Sequence, residues 1–199
     1  MLAEALHPSL SALEIGLRNG IHNALTLHYG TDLWFYQHDF VTNRNLGQEL
    51  HRAVGRLGGP ARQPLAGRIV AELHFFYWTT VISRDYHNLL WHPNRALLLK
   101  QAFPNVTGAQ FRRDLIHQRY NTIRIFRNRV MHNEPLVYGF TLPGQPNISL
   151  DIMHRNIVEA VGWVSPQLQA SLLLIDRFPH VLATGQRTVE SALRDHLRV

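Results

Sequence analysis

Ile123-Arg124-Ile125-Phe126-Arg127-Asn128-Arg129-Val130-Met131-His132-Asn133-Glu134-Pro135 reads as the end of a long helix. Apolar residues recur through it at helical spacing, and Pro135 cannot continue the helix. Extended backwards, the stripe is Ile116, Tyr120, Ile123, Phe126 and Val130. At ~100° per residue these side chains share one face. The helix is expected from about Ala109 to His132. Arg127 falls within the apolar stripe, on the flank near Tyr120. Asn128 and His132 are one turn apart and lie together on an adjacent face.

Four residues separate Arg127 from His132, and Asn128 follows the arginine directly. A guanidinium binds phosphate as a fork, an amide orients it, and an imidazole moves a proton. Gathered at one helix end, the three can act on a phosphate without a metal. A plainer alternative stands beside this. An arginine on a core-facing stripe is costly unless it is paired or lines a cleft. Arg127 would then sit in an internal ion pair, and His132 would merely end the helix, where the dipole favours an imidazolium. The first helix carries an echo, Leu17-Arg18-Asn19-Gly20-Ile21-His22. Arg18 and His22 share a flank there, and Glu14, one turn earlier, is placed to hold Arg18 in an i,i+4 pair. Taken alone, that flank also fits a solvated salt-bridge face. Arg112, Arg113, Arg119, Arg124 and Arg129 crowd the long helix; they fit either a track for a phosphate backbone or a solvated face.

Outward from these motifs the chain reads as helices throughout, with no repeat and no strong strand pattern. A first helix is expected from Ser9 to Tyr29, with Pro8 and Ser9 as its start and Gly30 as its stop. Trp34, Phe35, Tyr36 and Phe40 form an aromatic patch on the core. A second helix is expected over Asn43–Leu57 and a third over Leu65–Ser83. The third is apolar nearly all round and therefore central. A short helix begins at Pro93 and ends near Lys100. After the long helix, Pro135, Gly139, Pro143, Gly144 and Pro146 mark a loop, with an extended pair around Val137–Leu142. Two or three further helices fill the chain from Ser149 onwards. The expectation is one all-α domain over residues 1–199, with a Pro/Gly-rich loop after the long helix.

Composition supports a single sizeable core: 199 residues, 45% hydrophobic and 17% charged. The formal net charge is +6, and Lys100 is the only lysine, so the cationic surface is arginine. That fits a polyanionic partner, or simply a bias of arginine over lysine. With no cysteine, disulfides, thiolate nucleophiles and Cys-ligated zinc are excluded. The remaining histidines show no metal-ligand spacing with a carboxylate, and no nucleotide-binding or nucleophile-elbow motif is present. No metal or other cofactor is therefore expected. No apolar run approaches the ~18–20 residues that span a bilayer. The N-terminus, with Glu4, His7 and Pro8, does not read as a signal peptide. The expectation is a cytoplasmic protein with no membrane partner.

The segment Arg124 to Pro135 resembles the R-x4–6-H motif of HEPN-domain proteins, in which Asn commonly follows the Arg. The first helix, Leu13-Glu14-Ile15-Gly16-Leu17-Arg18-Asn19-Gly20-Ile21-His22, is similar to the start of the Abi-like, abortive-infection branch of that superfamily. Leu90-Trp91-His92-Pro93 and Ala102-Phe103-Pro104 are also similar to that branch. The resemblance spans most of Leu13 to Pro135. It implies a HEPN helical bundle and a metal-independent endoribonuclease of phage-defence or toxin–antitoxin type. RNA would be the substrate, and the site would be completed across a homodimer. An antitoxin or defence-system partner is also implied. Arg127, Asn128 and His132 would be the catalytic residues; Arg18, Asn19, His22 and Arg124 would bind RNA or assist. Some HEPN proteins are inactive and serve as dimerisation or binding modules, so the same resemblance accommodates a non-catalytic RNA- or partner-binding protein.

Overall fold

The computed structural model describes residues 2–37, 40, 43–92, 96–134, 136, 139–144 and 146–185. They fold as an all-helical bundle, and the only β pairing among them is one antiparallel bridge between Phe140 and Ile148.

Helix α1, Leu2–Tyr29, is the axis of the bundle. It buries Leu6, Leu10, Leu13, Leu17, Ile21 and Leu25 against five other helices. It starts earlier than the expected Ser9 and runs through Pro8. Proline removes only one helical donor there, and continuing the helix backwards buries Leu6 completely. The buried Ser9 hydroxyl donates to the Leu6 carbonyl at 2.9 Å. Gly20 marks a close crossing: a Cβ there would lie 2.8 Å from the Ala102 carbonyl oxygen and 2.7 Å from Val164 Cγ1. A side chain would push α1 off its neighbours.

Helix α2, Arg44–Arg56, is capped by Asn43, whose Oδ1 accepts from the backbone N–H of Asn45 at 2.9 Å and Leu46 at 3.4 Å. The single helix expected over Leu65–Ser83 is in fact two, α3 (Ala66–Glu72) and α4 (Phe75–Val81), broken at Leu73 and His74. The break is satisfied from α2. Glu49 Oε1 accepts from the His74 backbone N–H at 2.7 Å, and Arg56 donates to the Glu72 carbonyl at 2.8 Å and to Glu72 Oε2 at 2.7 Å. The two short helices together bury Ile69, Val70, Phe75, Tyr77 and Trp78. A π turn at His87–Trp91 leads towards α5, Ala96–Ala102; the expected start at Pro93 lies outside the described residues.

Helix α6, Arg113–Met131, follows a 3-10 turn at Gly108–Gln110 and so begins later than the expected Ala109. Its buried residues are Ile116, Tyr120, Ile123, Phe126 and Val130, the stripe the periodicity predicts. It lies against α4, with Arg113 reaching the Ile82 carbonyl and Arg124 the Phe76 ring. It also lies against α7, Leu150–Val164, where the buried Tyr120 hydroxyl donates to the Ala160 carbonyl at 2.7 Å. Of the extended pair expected at Val137–Leu142, Val137 and Tyr138 lie outside the described residues. The pairing seen joins Phe140 to Ile148, N–H to carbonyl, at 2.8 and 2.7 Å. Helix α8, Pro166–Ile175, and a further helical segment over residues 178–185 close the bundle. Among the described residues no helix is long and apolar enough to cross a membrane.

Candidate functional site

Helix α6 ends in a closed turn. Asn133 adopts a left-handed φ of 54°. Its N–H donates to the Val130 carbonyl at 3.2 Å, and the Glu134 N–H to the Arg129 carbonyl at 3.0 Å. This is a Schellman cap with asparagine in the position that glycine usually holds. Arg129 Nε donates to Glu134 Oε2 at 2.7 Å and seals the turn. The last residue before the reversal is His132, whose backbone N–H still bonds to the Asn128 carbonyl at 3.0 Å. Both side chains are exposed. Neither makes a hydrogen bond within the described residues. Asn128 and His132 therefore stand together, free, on an open corner.

Arg127 faces the other way. Its side chain is 33% exposed, and Nη2 donates to Glu14 Oε2 on α1 at 3.2 Å; Glu14 is 24% exposed. The expected Glu14–Arg18 pair is not formed. The flank of α1 that carries Glu14 faces α6, and an arginine half sunk in a helix interface needs a countercharge more than one at the rim does. Arg18 is left with a long contact from Nε to Asn19 Oδ1, 3.4 Å. Asn19 itself is exposed.

His22 is fixed by a residue outside the motif. Trp34 Nε1 donates to His22 Nδ1 at 2.9 Å. An indole N–H can only donate, so Nδ1 is bare and the ring proton sits on Nε2. Burial lowers the pKa of His22, with Asp32 opposing the shift and Arg18 adding to it. His22 is thus held by Trp34 through Nδ1, with Nε2 carrying the ring proton. Its position follows from the helix directions. Glu14 meets Arg127, Gly20 packs on the Ala102 carbonyl, and Phe103 lies 5.7 Å from Tyr120. Helices α1 and α6 therefore run antiparallel. Arg18, Asn19 and His22 lie beside the turns preceding Arg127, on the side away from His132.

The other arginines of α6 and its N-cap are mostly committed. Arg112 pairs with Asp114 at 2.7 Å, Arg119 with Glu159 at 2.6 Å and Arg129 with Glu134 at 2.7 Å. A continuous phosphate track along α6 would have to break these pairs. Arg124 is different. It forks onto Asn121 Oδ1 through Nε at 3.2 Å and Nη2 at 2.9 Å, and its guanidinium lies 5.6 Å above the Phe76 ring. Burial lowers its pKa. Among the described residues neither Arg124 nor Arg18 has a carboxylate partner, so uncompensated positive charge flanks Arg127. Sequence reasoning missed Glu14 as the holder of Arg127 and Trp34 as the holder of His22; both are contacts between elements, with no local signal. Among the described residues no three His, Asp or Glu side chains are grouped to hold a metal ion.

No family model, curated protein or solved structure matches this chain.

Proposed function

We propose that the chain is a HEPN-type, metal-independent endoribonuclease acting in the cytoplasm, in phage defence or as the toxin of a toxin–antitoxin pair. The observation that carries this reading is the exposed Asn128–His132 pair at the end of the helix that also carries Arg127, an arginine oriented by Glu14. The RNA 2′-oxygen attacks the adjacent phosphorus and the bond from phosphorus to the 5′-oxygen breaks, leaving a 2′,3′-cyclic phosphate and a 5′-hydroxyl. His132 moves the protons, since an imidazole can accept a proton at one ring nitrogen and donate one from the other. Arg127 keeps donors beyond the one bonded to Glu14 and stabilises the charge that builds on the phosphorane oxygens. Asn128 orients the phosphate or the imidazole. Each chain supplies one imidazole on an open corner. A homodimer that brings two corners together supplies both acid and base and excludes water from the site. Arg18 and Arg124 add uncompensated charge for the strand; an antitoxin or defence partner would cover the same corner.

The second reading is a non-catalytic dimerisation or RNA-binding module. The Glu14–Arg127 pair favours it, since it gives the arginine a structural use. One experiment decides between them: cleavage of a labelled RNA in EDTA by wild type and by His132→Ala. Cleavage by the first alone supports the enzyme; no cleavage by either, with RNA still bound, supports the module.

A further inference from the structure

A cleft of about 300 Å³ lies between α6 and α7, away from Arg127. Its polar lining is Gln110, Gln118, Arg119, Thr122 and Asn156, and Trp163 stands behind Arg119. That volume is at the small end for molecules held in protein pockets. Its electrostatics are specific. Arg119 is the cation of the cleft, and it is already neutralised. Nη1 donates to Glu159 Oε2 at 2.6 Å and to Asn156 Oδ1 at 2.9 Å, while the guanidinium lies 5.1 Å from the Trp163 ring centroid. A phosphate or carboxylate ligand finds no free countercharge here. What remains open is uncharged. The side chains of Gln110, Gln118 and Thr122 make no hydrogen bond within the described residues, and the Asn156 amide nitrogen keeps its donors.

A clamped guanidinium with free amides around it suits a flat, uncharged, donor–acceptor ligand. Unstacked RNA bases stack on arginine planes and are read along their edges by such side chains. A side-chain amide offers a donor and an acceptor together, the pattern that matches an adenine edge. We propose that the cleft between α6 and α7 is a nucleobase subsite, in which one unpaired base stacks on Arg119 and is read by Gln118 and Thr122. This rests on the reading of the chain as an RNA-acting protein. The placement is consistent with it. Gln118 and Thr122 are one turn apart on the same face of α6. His132 lies ten residues beyond Thr122, about 15 Å along the axis and about 80° around it. A strand crossing α6 can leave a base in the cleft and present its backbone to the His132 corner.

The test uses fluorescein-labelled 2′-O-methyl RNA hexamers, which lack the attacking hydroxyl and cannot be cut. One position is varied through the four bases and an abasic residue, and affinity is read by anisotropy. Wild type should bind a base at that position at least roughly tenfold more tightly than the abasic residue, with one base preferred. Gln118→Ala and Thr122→Val should remove most of that difference while keeping the wild-type circular dichroism; His132→Ala should keep it. Equal affinity for base and abasic hexamers, no binding of any hexamer, or full base dependence in both cleft variants overturns the subsite. A wild-type protein that shows the base dependence but cuts no RNA overturns the ribonuclease and leaves the subsite standing. Cleavage with no base dependence does the reverse.

Discussion

Arg127 and His132 end the same helix but live in different surroundings, and substitution should separate their roles. His132 is exposed and touches no polar partner, so His132→Ala should leave stability within about 0.5 kcal/mol of wild type. Cleavage should fall by roughly 100-fold or more. Arg127→Ala removes a partly exposed ion pair, so about 1 kcal/mol or less of stability should go with it. Its loss of cleavage should be roughly 100- to 1000-fold. Gel assays of a labelled RNA beside thermal melts check both. Either variant cutting at the wild-type rate, with wild-type circular dichroism, removes that residue from the mechanism. Arg18→Ala should weaken RNA binding with little change in melting temperature, since Arg18 holds no carboxylate; unchanged binding would make it a solvated face. The sequence displays the Arg-Asn-His cluster plainly, because its members are neighbours on one helix. It hides Glu14 as the partner of Arg127, 113 residues away. The i,i+4 rule pairs Glu14 with Arg18 because it knows nothing of α6.

Helix ends with their own chemistry are legible from residues alone. Asn43 starts α2, Gly30 follows α1, and α6 stops before Pro135 because Asn133 takes up the left-handed turn. The break between α3 and α4 is not legible in this way. Residues Leu65–Ser83 contain no proline or glycine at the break, and the groups that make it tolerable, Glu49 and Arg56, belong to α2. Glu49→Ala should therefore cost about 1–3 kcal/mol by leaving the His74 N–H without its acceptor. Urea unfolding checks this, and a loss under 0.5 kcal/mol would mean that the break sustains itself. Gly20→Ala should also destabilise, by about 1–3 kcal/mol, since the new methyl meets the Ala102 carbonyl and Val164. A melting temperature equal to wild type would show that α1 can move aside at no cost.

At the scale of the molecule, acid should weaken the fold. Burial is the largest cause lowering the pKa values of His22, His117 and His154. His154 is the most enclosed, with Nε2 2.9 Å from Asp176 Oδ2 and its ring stacked 4.6 Å from Phe178. The pull of Asp176 only partly offsets burial. Below the ordinary value of 6.5, the unfolded chain takes up protons on these rings before the folded chain does. Stability from them is present above that pH and is lost as pH falls towards their folded values. The melting temperature should drop between pH 7.5 and pH 5 by differential scanning fluorimetry, and a flat or rising profile would contradict the argument. Assembly belongs to this scale too. Mixed Arg127→Ala and His132→Ala proteins should regain part of the lost cleavage if two chains share a site, whereas full activity in a verified monomer excludes sharing. The all-helical class is legible throughout, because the apolar stripes repeat at helical spacing along nearly the whole chain. A partner for the open corner is not legible, since an interface with another chain leaves no periodic trace.

Arg129 does more than close the end of α6. It is held between Glu134 and the face of Phe140, 5.7 Å from the ring centroid, and Phe140 in turn packs 5.5 Å from Phe126 inside the bundle. The turn that presents His132 is thus anchored by the loop beyond it. On the proposed reading of this corner as an RNA site, chain continuity through that loop matters separately from the integrity of the helices. A single proteolytic nick engineered between Thr141 and Gly144 should leave the helical spectrum nearly intact and still slow RNA cleavage.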